Sequence, residues 1–592
     1  MSGHTRPEAL RATLALSGLL VAFGGIGGRL YQLQVKEHEK YCALARKQQQ
    51  RVRPLNPWRG EIFAWEDGRP VVIASSLARG SLLVEGRDDR DVDDFLERVE
   101  RALVLEPSER ASLRARLEAG RPFFFRRRRL LPEEMDKLQA ARLGAASVVE
   151  EPVRSYPFSQ LGIQALGLVS ADGEGISGIE RAFEEQLRGV RGLREVEVDN
   201  RSHELVESTS VQVEPRPGLS VQLTIDRRIQ AIVEEELDGI VAAWQPKGAA
   251  CVVLDPYTGK ILAIATRPTF APENTAAAPA SAFRNLALME SYEPGSSIKP
   301  LIVGTAWDQG LGAPELPISC PKEWHLPGRR TAIEDHSLVG DVDEAHVIIE
   351  SSNVGATKIG SRLGLPQIRR ALETFGLGRL TGVELGEVPG NGKQLAKTDV
   401  TTLGSVCQGY ALTATPLQMA LAYAAIANGG TLFRPRIVDA LVNAQGETVR
   451  RFEPVPVARV LSTHTAKDLL APVMERVLSD PKGTAHASRV PGYTLAGKTG
   501  TTKLLVDGHY SPREIDASFY GFAPHDEPRI AIGVVVFHPS TAKGKVWGGT
   551  AAAPAASAIV GKALKYLGVP ENRLPTVAGS LRAGAPEQDD DR

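Results

Sequence analysis

The sequence predicts an α+β chain whose larger, C-terminal part combines an antiparallel sheet with a helical subdomain, and three observations carry that class. Strands come first: Val221–Ile225 alternates apolar and polar residues. Two apolar runs, Ala249–Leu254 and Lys260–Thr266, flank the turn Asp255-Pro256-Tyr257-Thr258-Gly259 as a hairpin would. Helices fill the middle, from about Ile298 to Gly429. Strands return at Tyr493–Gly497, Ala517–Phe522 and Ile530–Phe537. A chain of 592 residues exceeds a single core, so three or four structural units are expected.

Taken in order, the chain opens with an uncharged run, Ala12–Gly28, after Arg6 and Arg11. Its position and composition suit a membrane anchor, a cleaved signal peptide or a buried helix. The cleavage-like Ala43-Leu44-Ala45 lies far past the run, and Glu39-Lys40-Tyr41 before Cys42 is no lipoprotein box. An uncleaved anchor over residues 12–30 with a cytoplasmic tail 1–11 is therefore expected. Arg29, Lys36, Lys40, Arg46 and Lys47 follow the run, so charge counting alone places the remainder of the chain inside. The site chemistry below asks for the opposite, and it decides the orientation expected here.

Leu30–Arg53 has helical spacing, and Pro54 and Pro57 lead into strand-like segments. Phe123–Phe125 followed by Arg126–Arg129 reads as a strand with a solvated end. With a net charge of −1, nucleic acid is not an expected partner. A turn at Asp172–Gly175 precedes a helix over Ser177–Leu187, and Pro215-Arg216-Pro217-Gly218 marks a linker. Ile229–Trp244 has the pattern of an amphipathic helix. The four cysteines (Cys42, Cys251, Cys320, Cys407) are far apart and read as buried thiols, and the histidines follow no ligand spacing. No metal and no cofactor are expected. The acidic C-terminal tail, 571–592, reads as disordered.

The stretch that organises the chemistry is Tyr292–Pro300, in which Gly295 precedes Ser296 and an apolar helical run begins. Serine and lysine three residues apart share one helix face, so Lys299 as a neutral amine can take the proton of Ser296. Ser-x-x-Lys also occurs at Ser319, Ser479 and Ser540, so the tetrapeptide alone decides nothing. Downstream, however, Ser351-Ser352-Asn353 follows a helix-like segment. Lys498-Thr499-Gly500, unique in the chain, lies on a strand before Thr501.

Ser-x-x-Lys, then Ser-x-Asn, then Lys-Thr-Gly is the signature of penicillin-binding proteins and serine β-lactamases. In that reading Ser296 attacks a carbonyl, Lys299 accepts its proton, and Ser351 relays a proton to the leaving amine. Asn353 holds the substrate backbone. Lys498 and Thr499 meet its carboxylate, Lys498 also helping by like charge to keep Lys299 neutral. Gly500 lets the backbone approach, and the N–H groups of Ser296 and Thr501 form the oxyanion hole.

The chain resembles class B penicillin-binding proteins almost end to end. Arg29–Gln34, Arg59-Gly60-Glu61-Ile62, Arg154–Pro157 and Gly178-Ile179-Glu180 resemble the family's post-anchor and pedestal segments. Leu223–Asp226, Gln408-Gly409-Tyr410, Thr415–Gln418 and Ala427–Gly430 resemble its transpeptidase domain. Phe63–Gly68 departs from the family's usual Asp-Arg-Asn-Gly, which bears on pedestal contacts only. The resemblance implies a non-catalytic pedestal or dimerisation-type domain over 31–215 and a transpeptidase domain over 216–570. It implies cross-linking of peptidoglycan stem peptides ending in D-Ala-D-Ala outside the cytoplasmic membrane, with inhibition by β-lactams. Ser351–Gly355 and the Gly409-Tyr410 to Thr415-Pro416 segment are most similar to the division-specific branch; an elongation-specific role is the alternative. No acidic glycosyltransferase motif precedes the linker, and Glu334-Asp335-His336 is only a superficial match. The resemblance thus implies a separate SEDS-family (shape, elongation, division, sporulation) polymerase and other divisome proteins as membrane partners. A β-lactamase would need a loop that positions hydrolytic water, and a retired scaffold or β-lactam sensor would typically have lost Lys299, Ser351 or Lys498.

Overall fold

The computed structural model describes residues 6–84, 92–121, 123–141, 143, 146–198, 204–396, 399–506, 508–543 and 545–572. The expected disordered tail lies, from residue 573 on, outside the described residues. Two compact units interleave along the chain. One comprises 1–59, 76–153 and 189–218, and the other 60–75, 154–188 and 219–592.

The first unit opens with α1 (Arg6–Tyr31), which continues through a helical turn at Gln32–Lys36; Ala9–Lys36 is the one helical stretch among the described residues long and apolar enough to cross a membrane. Its apolar side chains, from Leu10 to Leu30, lie exposed, as a lipid-facing helix requires. The helical spacing expected through Arg53 ends earlier. A helix over His38–Gln49 gives way to a strand, Gln50–Leu55, paired with Gly192–Val198, which in turn pairs with Glu204–Val213. A separate small core gathers Leu82, Leu96, Val99, Leu113, Phe123, Phe125 and Leu130. Phe123–Leu130 is a strand, as its composition predicts. Arg126 is not solvated, however: it pairs with Glu109 at 2.8 Å and Glu134 at 3.2 Å.

In the second unit, Ile62–Glu66 turns at Asp67-Gly68 and pairs back on the segment from Arg69. That is the stretch where the sequence departs from the pattern of the family it resembles, and here it forms a tight hairpin. Glu66 at its end pairs with Arg227 and, at 2.9 Å, with Arg228. Ile62–Glu66 runs parallel to Ser220–Asp226, so this sheet is mixed. The helix expected over Ser177–Leu187 is broken at Phe183 into two short helices.

A separate five-stranded sheet is wholly antiparallel. α2 (Arg227–Trp244), capped by Asp226, leads into the hairpin of β1 (Gly248–Leu254) and β2 (Ile261–Arg267). After the helices α3 (Lys299–Asp308), α4 (Asn353–Leu363) and α5 (Pro416–Ala427) come β3 (Ala496–Val506), β4 (His509–Ala523) and β5 (Ile530–Phe537). The spatial order is β2-β1-β5-β4-β3. Every residue of β1 and β5 is buried, so both faces are covered. α2 and α6 (Ala553–Tyr566) pack together on β2 and β5, while α5 packs on β1, β4 and β5. The middle stretch is less helical than its composition suggests: Pro317–Cys320 pairs with Gly340–Asp343, and Glu323–Trp324 with Ile333–Glu334. β3 is the edge strand, and its free edge is where the site forms.

Candidate active site

Pro294 opens a tight 3-10 turn, Gly295–Ile298, that runs straight into α3. At three residues per turn, positions i and i+3 eclipse, so Ser296 and Lys299 stack along one line. Pro300 sits in the first turn of α3, where a missing N–H leaves no gap. The turn is held from several directions. Gly295 N donates to Gly409 O at 3.2 Å, Tyr423 Oη of α5 donates to Ser297 O at 2.7 Å, and Thr502 Oγ1 donates to Glu293 O at 2.8 Å. Gly409 has φ +85° and a Cβ there would overlap Gly295 O, so the turn closes only on glycine. Ser297 is buried while Ser296 is partly exposed, which leaves the candidate nucleophile reachable on a rigid support.

Lys299 is fully buried. Its Nζ donates to Ser351 O at 2.6 Å, Asn353 Oδ1 at 2.8 Å and Ser351 Oγ at 3.2 Å. Burial pulls its pKa down to about 7, against the opposing pull of the Asp335 carboxylate. A general base is most effective when its pKa lies near the working pH. The like-charge pressure expected from Lys498 is not what lowers Lys299; repulsion between the two instead adds to burial in lowering Lys498. Ser296 Oγ makes no hydrogen bond among the described residues, and Lys299 is turned toward Ser351 and Asn353. Such contacts commonly tighten only with substrate in place.

Ser351 has φ +64° at the joint between the Glu344–Ile349 helix and α4. Ser351 in this sparsely populated region is bonded by Lys299, and the three residues after it are clamped by Asp335. Its buried carboxylate accepts from Ser352 Oγ at 2.6 Å, from Val354 N at 3.1 Å and from Asn353 N. Asn353 Nδ2 donates to Glu334 O at 2.8 Å, and Ser352 Oγ caps α4 by accepting from Gly355 N at 2.9 Å. In sequence the 334–336 segment is only a superficial acidic motif. Its real place, clamping the second motif, depends on folding that no local spacing reveals.

On β3, Lys498 is fully buried, with Nζ 3.1 Å from Thr499 O and 3.3 Å from Thr499 Oγ1. Thr499 Oγ1 also meets Thr484 Oγ1 at 2.8 Å, a contact not anticipated from sequence. Thr501 Oγ1 accepts from Gly548 N at 3.0 Å. A Cβ on Gly500 would overlap Ser518 Oγ of β4 and lie 2.8 Å from Pro294 O and 3.4 Å from Ser297 Oγ, so this glycine sets how closely β3 meets both β4 and the Ser296 turn. Gly500→Ala is expected to cut acylation by about tenfold or more, through a displaced turn. Second-order rate constants with a chromogenic penicillin-type substrate would check this, and an unchanged value would mean the contact is not needed. All eight residues anticipated from sequence thus lie in one region: Lys299 follows Ser296 on the same turn and bonds to Ser351 and Asn353, and β3 carries Lys498, Thr499, Gly500 and Thr501.

The cysteines lie apart from one another in role. Cys251, Cys320 and Cys407 are buried as expected, and Cys42 is only half-buried. Burial pushes the Cys407 thiol up to about 12, so it stays protonated although it lies close enough to Lys299 to be felt by it.

Comparison with known proteins is consistent with this geometry. Residues 249–561 match the penicillin binding protein transpeptidase domain, and residues 54–223 match the penicillin-binding protein dimerisation domain. The chain is 30% identical to stage V sporulation protein D of Bacillus subtilis, over 93% of this chain and 84% of that protein. It is 29% identical to peptidoglycan D,D-transpeptidase FtsI of Escherichia coli K12, over 97% of this chain and 94% of the relative. Among solved structures, penicillin binding protein 3 of Mycobacterium tuberculosis complexed with aztreonam superposes with a TM-score of 0.68 at 25% identity, covering 88% of this chain and 98% of the other.

Proposed function

The chain belongs to the penicillin-binding protein family in its class B form, a dimerisation domain followed by a transpeptidase domain, and from that footing we propose how its own residues work. It is a peptidoglycan D,D-transpeptidase of the division type. Ser296 Oγ attacks the carbonyl of the penultimate D-Ala as Lys299 takes its proton. The N–H groups of Ser296 and Thr501 receive the developing oxyanion. Ser351 passes a proton to the amine of the departing terminal D-Ala, leaving an acyl-enzyme ester on Ser296. The amine of a second stem peptide then attacks that ester, forming the cross-link and restoring the serine. Lys498 and Thr499 hold the terminal carboxylate of the donor, and Asn353 its backbone. A β-lactam acylates the same serine without losing a leaving group.

The observation that carries this reading is the buried Lys299 amine, poised between the Ser296 turn and the Ser351–Asn353 joint with its pKa drawn to about 7. The substrate places the transpeptidase domain on the extracytoplasmic side, with α1 as a single-pass anchor in the cytoplasmic membrane. Along the sequence the boundaries of anchor, pedestal, enzyme and tail fall near residues 30, 215 and 570, although segments 60–75 and 154–188 of the pedestal stretch fold into the same compact unit as the enzyme. A SEDS-family glycosyltransferase and other divisome membrane proteins are its partners, supplying the glycan strands it joins. Fluorescent penicillin labelling of membranes tests the core of this. A labelled band is expected for the intact chain and none for Ser296→Ala. Labelling that persists in the variant would move the nucleophile elsewhere, and an unlabelled intact chain would end the transpeptidase reading.

A further inference from the structure

Glu293, three residues before the nucleophile, is a half-buried carboxylate with no cation paired to it among the described residues. Its Oε1 accepts from Ala411 N at 3.0 Å and from Tyr510 Oη at 3.2 Å, while Oε2 has no hydrogen bond among the described residues. Burial raises its pKa, the mark of an anion short of compensating charge. Beside it the rings of Tyr410 and Tyr510 stand 4.8 Å apart, tilted by 58°, and Tyr510 is 45% exposed. A carboxylate flanked by two aromatic rings at an open rim has the chemistry that receives an ammonium ion.

We propose that Glu293, Tyr410 and Tyr510 form a subsite for a side-chain ammonium on the donor peptide, carried by the residue that precedes its D-Ala-D-Ala end. This rests on the transpeptidase reading above. With the donor carboxylate at Lys498 and Thr499 and its reacting carbonyl at Ser296 and Thr501, the peptide runs on along β3 past Thr502, at about 3.3 Å per residue. Thr502 Oγ1 ties the Glu293 backbone to that stretch at 2.8 Å, and Tyr510 pairs with Leu505 farther along the same hairpin. The next donor side chain therefore arrives beside the carboxylate. The amine of the acceptor peptide has the same ammonium chemistry, but it must approach the ester carbonyl rather than the far end of β3.

The test uses the full-length chain in detergent and two thioester donors ending in D-Ala. They differ only in whether the preceding lysine carries a free or an N-acetylated ε-amine. Wild type is expected to be acylated about tenfold faster, in kcat/KM, by the free amine, the size a partly exposed cation–carboxylate and cation–π contact supplies. The ratio is expected to fall to near unity in Glu293→Gln and to shrink in Tyr510→Ala. Equal rates in wild type overturn the proposal whatever the variants do. So does a ratio that survives Glu293→Gln in protein with an unchanged melting temperature. Equal donor rates with a free-amine preference seen only in transfer to an added acceptor would assign the site to the acceptor and overturn the donor assignment. A wild-type chain that reacts with neither donor nor penicillin would instead bring down the transpeptidase reading itself.

Discussion

Lys299→Met is expected to lower acylation of Ser296 by about a thousandfold, within the range that a positioned general base contributes. Methionine keeps the volume of the buried stem and removes only the amine, so the loss reports proton transfer rather than collapse of the site. In the intact chain the acylation rate should fall as pH drops below about 7, because the amine that must accept the proton is then already charged. The same shift has a stability consequence whose sign is fixed. Lys299 goes from its ordinary value of 10.5 to about 7 on folding. Between those limits the unfolded chain holds a proton that the folded chain does not. Stability therefore rises with pH across that window, with a slope of up to ~1.4 kcal/mol per pH unit for this one group. Lys498, lowered for the same main reason, adds to the rise. Chemical denaturation at several pH values between 7 and 10 should show a shallower slope in Lys299→Met. An identical slope would mean the lysine is charged in the folded state.

Asp335→Asn is expected to slow acylation by about ten- to a hundredfold, since hydrogen bonds to a charged acceptor are worth roughly 1.5–3 kcal/mol each. The carboxylate accepts from Ser352 Oγ and from two backbone N–H groups at the head of α4. An asparagine keeps one acceptor and turns a donor toward the others. Asp335 is a positioning residue, since it reaches the reaction through Ser351, Asn353 and Lys299. A rate loss alone would fit simple loosening, so the pH profile is the sharper readout. The Asp335 charge holds the Lys299 pKa up. Without it, the low-pH limb of the acylation profile should move to lower pH, while a limb that stays in place would leave Asp335 a purely structural role.

Much of the site was legible because its chemistry is written in short runs whose geometry is local. Ser296 and Lys299 are one helical turn apart, and one turn is enough to align them. Lys498, Thr499, Gly500 and Thr501 are consecutive on a strand, so their shared edge needed no tertiary information. The apolar run after Arg11 likewise declares a helix that no core in the described chain covers.

What sequence alone determined, then, was the set of candidate residues for the chemistry, the α+β class and the antiparallel sheet, each of them set by periodicity or by neighbours within a turn. The fold alone decided how those residues are tuned. Burial of Lys299 depends on packing between α3, α4 and the cores around them, and that desolvation is what draws its pKa down to about 7 and suits it to the role of a base. Asp335 meets Asn353 across a reversal of the chain that spacing does not announce. Glu293 and Tyr510, 217 residues apart, meet only because β3 and β4 close on the Ser296 turn. Reactive groups can be read from neighbouring letters, but their protonation, orientation and reach depend on atoms brought together from distant parts of the chain.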